Sequence, residues 1–293
     1  MKKYYLIILL LAMVLFTQAQ NPKNNKADNT PRIGLCLSGG GALGFAHIGA
    51  IKALEEHGII PDEISGASMG SIVGCFYAAG YTTEQLMEII RSEKMYKTTK
   101  IMNRVPRPLT KKSGLSTHDA LRKILRERVP GNSFEGLKKP FHLSVSNLHT
   151  GECEIISSGD SLDAWVAASA SIPAVFESIL INGNLYIDGG VLNNMPAQPL
   201  AKNCNLIIGI NVIPYLPQEN KFDNTINVLA MAIRMAENKN ADEGKSLCNH
   251  VIDVNAISKY NEFSFDKFEI IYQYGYDAVV EYIKAHPELN LKK

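Results

Sequence analysis

The sequence predicts an α/β protein, a three-layer α/β/α sandwich around a mainly parallel central sheet. Three observations lead there. Short runs of Ile, Leu and Val alternate with longer segments of helical spacing along most of the 293 residues, and such alternation requires crossover connections. Two of the runs lead straight into glycine-rich turns that open helical segments, as parallel strands do. No internal repeat and no linker interrupts the series, so a single domain is expected over 31–285.

The elements follow in order. Residues 33–37 are an apolar run suited to a strand buried on both faces. Ser38-Gly39-Gly40-Gly41 comes next, then a helix over about 42–57 with Leu43, Ala46, Ala50, Ile51 and Leu54 at helical spacing and Gly58 closing it. Residues 62–65 make a brief second strand, and 71–79 a helix of small and apolar residues. Thr82 or Thr83 caps a helix reaching about Arg91. Ser116-Thr117-His118-Asp119 has the composition of a capping box for a helix ending near Arg128. A strand pair is expected over 141–147 and 152–157, about His149-Thr150-Gly151. A short helix over 163–170 is stopped by Pro173. Residues 179–181 and 185–187 flank Asn182-Gly183-Asn184, a hairpin signal with glycine in the turn. A buried strand over 206–212, a long helix over 225–245, a strand over 250–254 and a helix over 265–283 complete the domain. Residues 286–293 read as a polar tail.

Composition bounds the function. A hydrophobic share of 46%, a charged share of 20% and a net charge of +1 are those of an ordinary globular protein and give no basis for nucleic-acid binding. Cys36, Cys75, Cys153, Cys204 and Cys248 are scattered without a C-x-x-C, and free, mostly buried thiols are expected. The histidines are dispersed without metal-ligand spacing, so neither metal nor cofactor is expected. Met1-Lys2-Lys3, the apolar run over 4–16 and Thr17-Gln18-Ala19 have the form of a secretory signal peptide over 1–19. The run is shorter than the ~20 residues a membrane span needs. A secreted or periplasmic location follows, with 20–30 a flexible leader; a retained anchor is the alternative.

Gly66-Ala67-Ser68-Met69-Gly70 carries the chemistry. A G-x-S-x-G sequence between a strand and a helix places its serine on a turn tight enough to need flanking glycines, with helix N–H groups behind it. Gly39, Gly40 and Gly41 supply a second set of backbone donors at a helix start, where an oxyanion would be stabilised. A hydroxyl nucleophile also needs a base. None of His118, His142, His149, His250 and His286 follows a strand end as a triad histidine does. Asp188 does, and Gly189-Gly190 after it leaves its backbone room to turn, which makes it the better candidate for the base; the alternative is that it merely closes a turn. In an apolar pocket its pKa would rise toward the useful range.

These residues together resemble the patatin-like phospholipase family. Gly39-x-Gly41-x-x-Gly44 is similar to the family's oxyanion motif, Gly66 to Gly70 to its nucleophile motif, and Asp188-Gly189-Gly190 to its catalytic-aspartate motif. Residues 167–173, 188–196 and 265–276 are similar to family segments too, and the likeness spans about 33–283. The resemblance implies a lipid acyl hydrolase with a Ser68–Asp188 dyad and no histidine, working through an acyl-enzyme. It departs at Leu43, where the family usually carries Arg or Lys, and this suggests that neutral acyl esters are accepted at least as well as phospholipids.

The segment from Lys94 to Lys112 holds seven basic residues and no acidic one, interleaved with apolar side chains. It reads either as a solvated connection or as a flap that docks on anionic lipid. Two further readings differ in class. Gly39-x-Gly41-x-x-Gly44 after a strand also fits a dinucleotide-binding module, but the acidic residue such a module needs at the end of the second strand is missing. The other is a catalytically inactive lipid-binding protein of patatin-like fold.

Overall fold

Strand β1 (Ile33–Leu37) is buried at all of its positions, and a strand without an exposed face belongs inside a sheet covered on both sides. The computed structural model describes residues 31–95, 97, 113–214 and 225–290, and the chain from Arg32 onward forms one compact unit. Its other strands are β2 (Glu63–Gly66), β3 (Gly114–Ser116), β4 (Phe141–Asn147), β5 (Cys153–Ile156), β6 (Ala174–Phe176), β7 (Ile179–Ile181), β8 (Asn184–Asp188), β9 (Leu206–Asn211) and β10 (His250–Asp253). The main sheet runs β10-β9-β1-β2-β4-β8-β7, with β5 also on β4. Strands β10, β9, β1, β2 and β4 are parallel, whereas β5, β8 and β7 are antiparallel additions.

Side-chain alternation along β1 and β9 sorts the interior into two cores, as a pleated strand requires. Ile33, Leu35, Leu37, Ile208 and Ile210 belong to the larger core, shared with α1 (Phe45–Glu56), α2 (Met69–Ala78) and the C-terminal helix Phe268–Ala285. Cys36 and Ile207 point the other way, into a smaller core with Met195, Leu200 and Ala241. That second layer comes from Leu200–Asn203 and the long helix Thr225–Ser246. The three layers are therefore those expected, with unequal cores.

The helix Phe268–Ala285 lies against α1 at a very close crossing. A Cβ on Gly49 would collide with the Tyr272 carbonyl, and one on Gly275 with the Ala46 carbonyl. Only hydrogen at both positions lets the two backbones touch.

Several boundaries differ from expectation for local reasons. Gly41–Gly44 wind as a 3-10 turn, so α1 starts at Phe45. Thr82 caps α3 (Thr83–Ser92) in a reciprocal box with Gln85. No such box forms at α4 (Asp119–Arg128): His118 is its N-cap without a side-chain bond, and the Thr117 hydroxyl donates instead to Asp119 Oδ2. Strands β3 and β6 pair in parallel as a separate two-stranded sheet that three-residue runs did not announce. Residues 286–290 continue the fold, since Pro287–Leu289 turn once more and bury Leu289. All five cysteines are free, Cys36 and Cys75 buried and the others half-buried.

Candidate active site

The site is built on one edge of β4. Gly66, the last residue of β2, pairs with Leu143, and Asp188, the last residue of β8, pairs with Val145 on the same edge. One strand arrives parallel to β4 and the other antiparallel, so their C-terminal ends meet, about 7 Å apart along β4 at ~3.3 Å per residue. Two residues past Gly66 the chain is at Ser68, turned back toward Asp188.

The turn at Ser68 is tight. Ser68 has φ 51 and ψ −123, a left-handed conformation uncommon for a residue with a side chain. A Cβ on Gly70 would collide with the Leu37 carbonyl, and Gly66 lies against the backbone of Gly70. Ser68 is the N-cap of α2, yet its hydroxyl makes no capping bond. Its N–H donates to Ser169 Oγ at 3.1 Å, and its carbonyl accepts from Ser71 Oγ at 2.7 Å. The hydroxyl itself donates to Asp188 Oδ2 at 2.7 Å.

Asp188 is fully buried. Its second carboxyl oxygen accepts the Gly190 N–H at 2.8 Å, its backbone N–H donates to the Ser171 carbonyl, and its carbonyl accepts from Ser146 Oγ. Desolvation pushes the carboxyl up to about 7, against the pull of the Ser68 hydroxyl and the Gly190 N–H. Gly189 lets this turn lie on β4, because a Cβ there would collide with Ser144.

The glycine loop after β1 faces the serine. Gly40 and Gly41 have φ 152 and 54, and among the described residues no acceptor takes either N–H. Gly39 behaves differently. Its N–H is committed to Asn194 Oδ1 at 3.0 Å, which corrects its expected place among the oxyanion donors. Gly39 instead allows close approach, its hydrogen facing Asn194 and the Ser68 Cβ. Gly44 makes room for the Met69 side chain. Asn194 is in turn held by Asn240 of the long helix, which also donates to the Gly190 and Val191 carbonyls.

Ser68 and Gly41 line a cavity of about 250 Å³ whose wall is mostly apolar, with Phe45, Ile72, Leu121 and Ile124 prominent. Met95 reaches it, whereas most of the 94–112 segment lies outside the described residues. Asp188 does not line the cavity and stands behind the serine. Leu43 is fully buried in the larger core and does not line it either. A link between that side chain and substrate preference therefore has no support in the geometry.

No histidine is bonded to Ser68 or Asp188 among the described residues. His142 sits between Glu63 and Ser157, His149 reaches Asn184, and His47, upstream of the serine, holds the Ser38 carbonyl. His118 does line the cavity, which the sequence reading missed because β3, the strand before it, was not recognised. It is stacked on Phe176 with ring centroids 3.9 Å apart, and its Nε2 is 3.0 Å from the Ala170 carbonyl. Burial pushes it down to about 4, so it is neutral. A second missed residue is Glu237, buried on the helix Thr225–Ser246 with its Oε1 against Gly190. Desolvation, and then the neighbouring Asp188, push its carboxyl well above the ordinary carboxylate range. Arg234, one turn away, is paired with Glu262.

Residues 35–201 match the family model described as patatin-like phospholipase. An uncharacterized NTE family protein of Mycobacterium tuberculosis is 33% identical over 188 positions, covering 64% of this chain and 51% of that protein. Lysophospholipase NTE1 of Kluyveromyces lactis is 28% identical over 287 positions, covering 88% of this chain and 20% of its own. The chain thus spans about half, or less, of the length of these curated relatives. Among solved structures, VipD from Legionella pneumophila has the same fold, with a TM-score of 0.51 at 17% identity over 87% of this chain and 67% of that one.

Proposed function

Starting from the fact that the chain belongs to the patatin-like phospholipase family, we propose that it is a lipid acyl hydrolase working through Ser68 and Asp188. One observation carries the reading: at the wall of an apolar cavity, the Ser68 hydroxyl donates at 2.7 Å to a fully buried carboxylate. Ser68 Oγ attacks the ester carbonyl while Asp188 Oδ2 takes its proton. The Gly40 and Gly41 N–H groups stabilise the oxyanion at the positive end of the following turn. As the tetrahedral species collapses, the leaving alcohol takes the proton from Asp188 and the acyl group stays on Ser68. Water then gives a proton to Asp188 and attacks the acyl ester, the second collapse freeing the acid and restoring the Ser68 hydroxyl.

The pKa of about 7 suits this role, since a base poised near neutrality can both accept and return a proton. The apolar cavity suits an acyl chain, and the lysophospholipase name of some relatives makes single-chain phospholipid the first substrate to try. A secreted or periplasmic location, and contact of the 94–112 segment with anionic lipid, extend the proposal. Among the described residues no helix is long and apolar enough to cross a membrane. Labelling with a fluorophosphonate probe tests the nucleophile: wild type labels at Ser68 and Ser68→Ala does not. Labelling that survives in Ser68→Ala refutes the assignment.

A further inference from the structure

Histidines that are dispersed in the sequence come together at the sheet edge far from Ser68. We infer that His250, His286 and Glu288 form a binding site for a divalent transition-metal ion of the zinc class. One ligand atom from each lies within 4.8 Å of the other two. A tetrahedral ion with bonds of ~2.0–2.2 Å holds its donors roughly 3.4 Å apart, so small rotations of exposed or half-buried side chains close the set. Two imidazoles and one carboxylate suit zinc, copper or nickel, and not the all-oxygen preference of calcium or magnesium. Three protein ligands leave one position for water.

The carriers are fixed by the fold. His250 begins β10, the edge strand of the sheet. His286 caps the helix Phe268–Ala285, and Glu288 sits in the turn that buried Leu289 pins down. Tyr282 organises the pair of rings: it stacks on His286 with centroids 4.3 Å apart, and its hydroxyl is 3.3 Å from His250 Nδ1. An outer group that orients a ligating imidazole is a usual companion of metal sites. Glu288 Oε1 is already 3.1 Å from His286 Nδ1. The site clamps the end of the helix to the sheet edge. Its distance from the cavity is about the length of that helix, ~27 Å at 1.5 Å per residue, so its role is to stabilise the fold and not to join the chemistry.

Zinc chloride titrated into the untagged, chelator-treated chain tests this by calorimetry and thermal unfolding. The expected result is one equivalent bound and a Tm that rises with zinc, with no response to magnesium or calcium. His250→Ala and His286→Ala each weaken zinc at least about tenfold, while His149→Ala leaves it unchanged. Exposed Glu288→Gln, which disturbs no packing, also weakens it. Absence of zinc binding in the wild type, or undiminished binding in Glu288→Gln and the double His250→Ala/His286→Ala chain, overturns the site.

Discussion

Asp188 pairs with Val145 two positions beyond the point where Gly66 pairs with Leu143, on the same edge of β4. The juxtaposition of the Ser68 hydroxyl and the Asp188 carboxyl is therefore a matter of sheet register, fixed by backbone hydrogen bonds and not by a flexible loop. A shift of one residue in β8 would turn Asp188 to the opposite face. Lengthening the side chain should have a similar effect on a smaller scale. Asp188→Asn is expected to lower kcat by at least about a hundredfold, the usual scale for losing a positioned base, and Asp188→Glu is expected to do nearly as badly. Hydrolysis of a p-nitrophenyl ester by the three chains measures this; full activity in Asp188→Asn ends the dyad.

The raised pKa of Asp188 has two consequences of opposite sign. With Asp188 as the proposed base, activity needs the carboxylate, so kcat/KM should climb as pH rises toward about 7 and then level. Stability behaves inversely. The folded pKa lies above the unfolded one, so the contribution is fully present below about 4 and is lost as pH rises through about 7. Asp188→Asn cannot titrate. It should unfold at a higher temperature than wild type above pH 7, with the gap closing at low pH, and thermal melts from pH 4 to 9 would show whether it does.

Much of this site was legible in the sequence because its parts are local. A strand, a glycine pair and a serine within five residues specify an elbow, and Asp188-Gly189-Gly190 specifies a turn after a strand. The unread parts depend on long-range pairing. Asn194 takes the Gly39 N–H across 155 residues, and Glu237 comes from a helix whose sequence shows only an ordinary charged residue. The strand before His118 is three residues long and pairs with another of three, too short for any periodicity to stand out.

Glu237 offers a test of how the two buried carboxyls share charge. Its pKa is raised well above the ordinary value, first by burial and then by Asp188. Glu237→Gln replaces the carboxyl by an amide of the same shape that cannot ionise, and should leave activity near pH 7 within about twofold. The stabilising effect of the proton is present below the unfolded pKa and is lost as pH rises through the raised folded one, so the Gln chain should gain stability over wild type as pH rises. A large loss of activity would mean that the carboxyl itself is needed at the site and is not a bystander behind Asp188.

The crossing at Gly49 and Gly275 predicts a packing defect without a chemical one. Either glycine replaced by Ala puts a methyl group into a facing backbone carbonyl, and backbone cannot yield as a side chain can. The expected cost is on the order of 1–3 kcal/mol for overpacking, read as a lower Tm or urea midpoint. Single alanine chains that melt with wild type would show that the helices separate freely.

The cavity predicts how acyl length is read. Leu121 and Ile124 lie three residues apart on α4 and both line the cavity of about 250 Å³. Ile124→Trp should fill part of it. Short acyl esters need little of that space and should be hydrolysed almost as before. Longer chains lose burial worth about 0.8 kcal/mol per excluded methylene, which is roughly a fourfold loss in kcat/KM for each. A series of p-nitrophenyl esters from butyrate to palmitate would give a selectivity curve displaced toward short chains. A uniform drop across the series would place the acyl chain elsewhere on the protein.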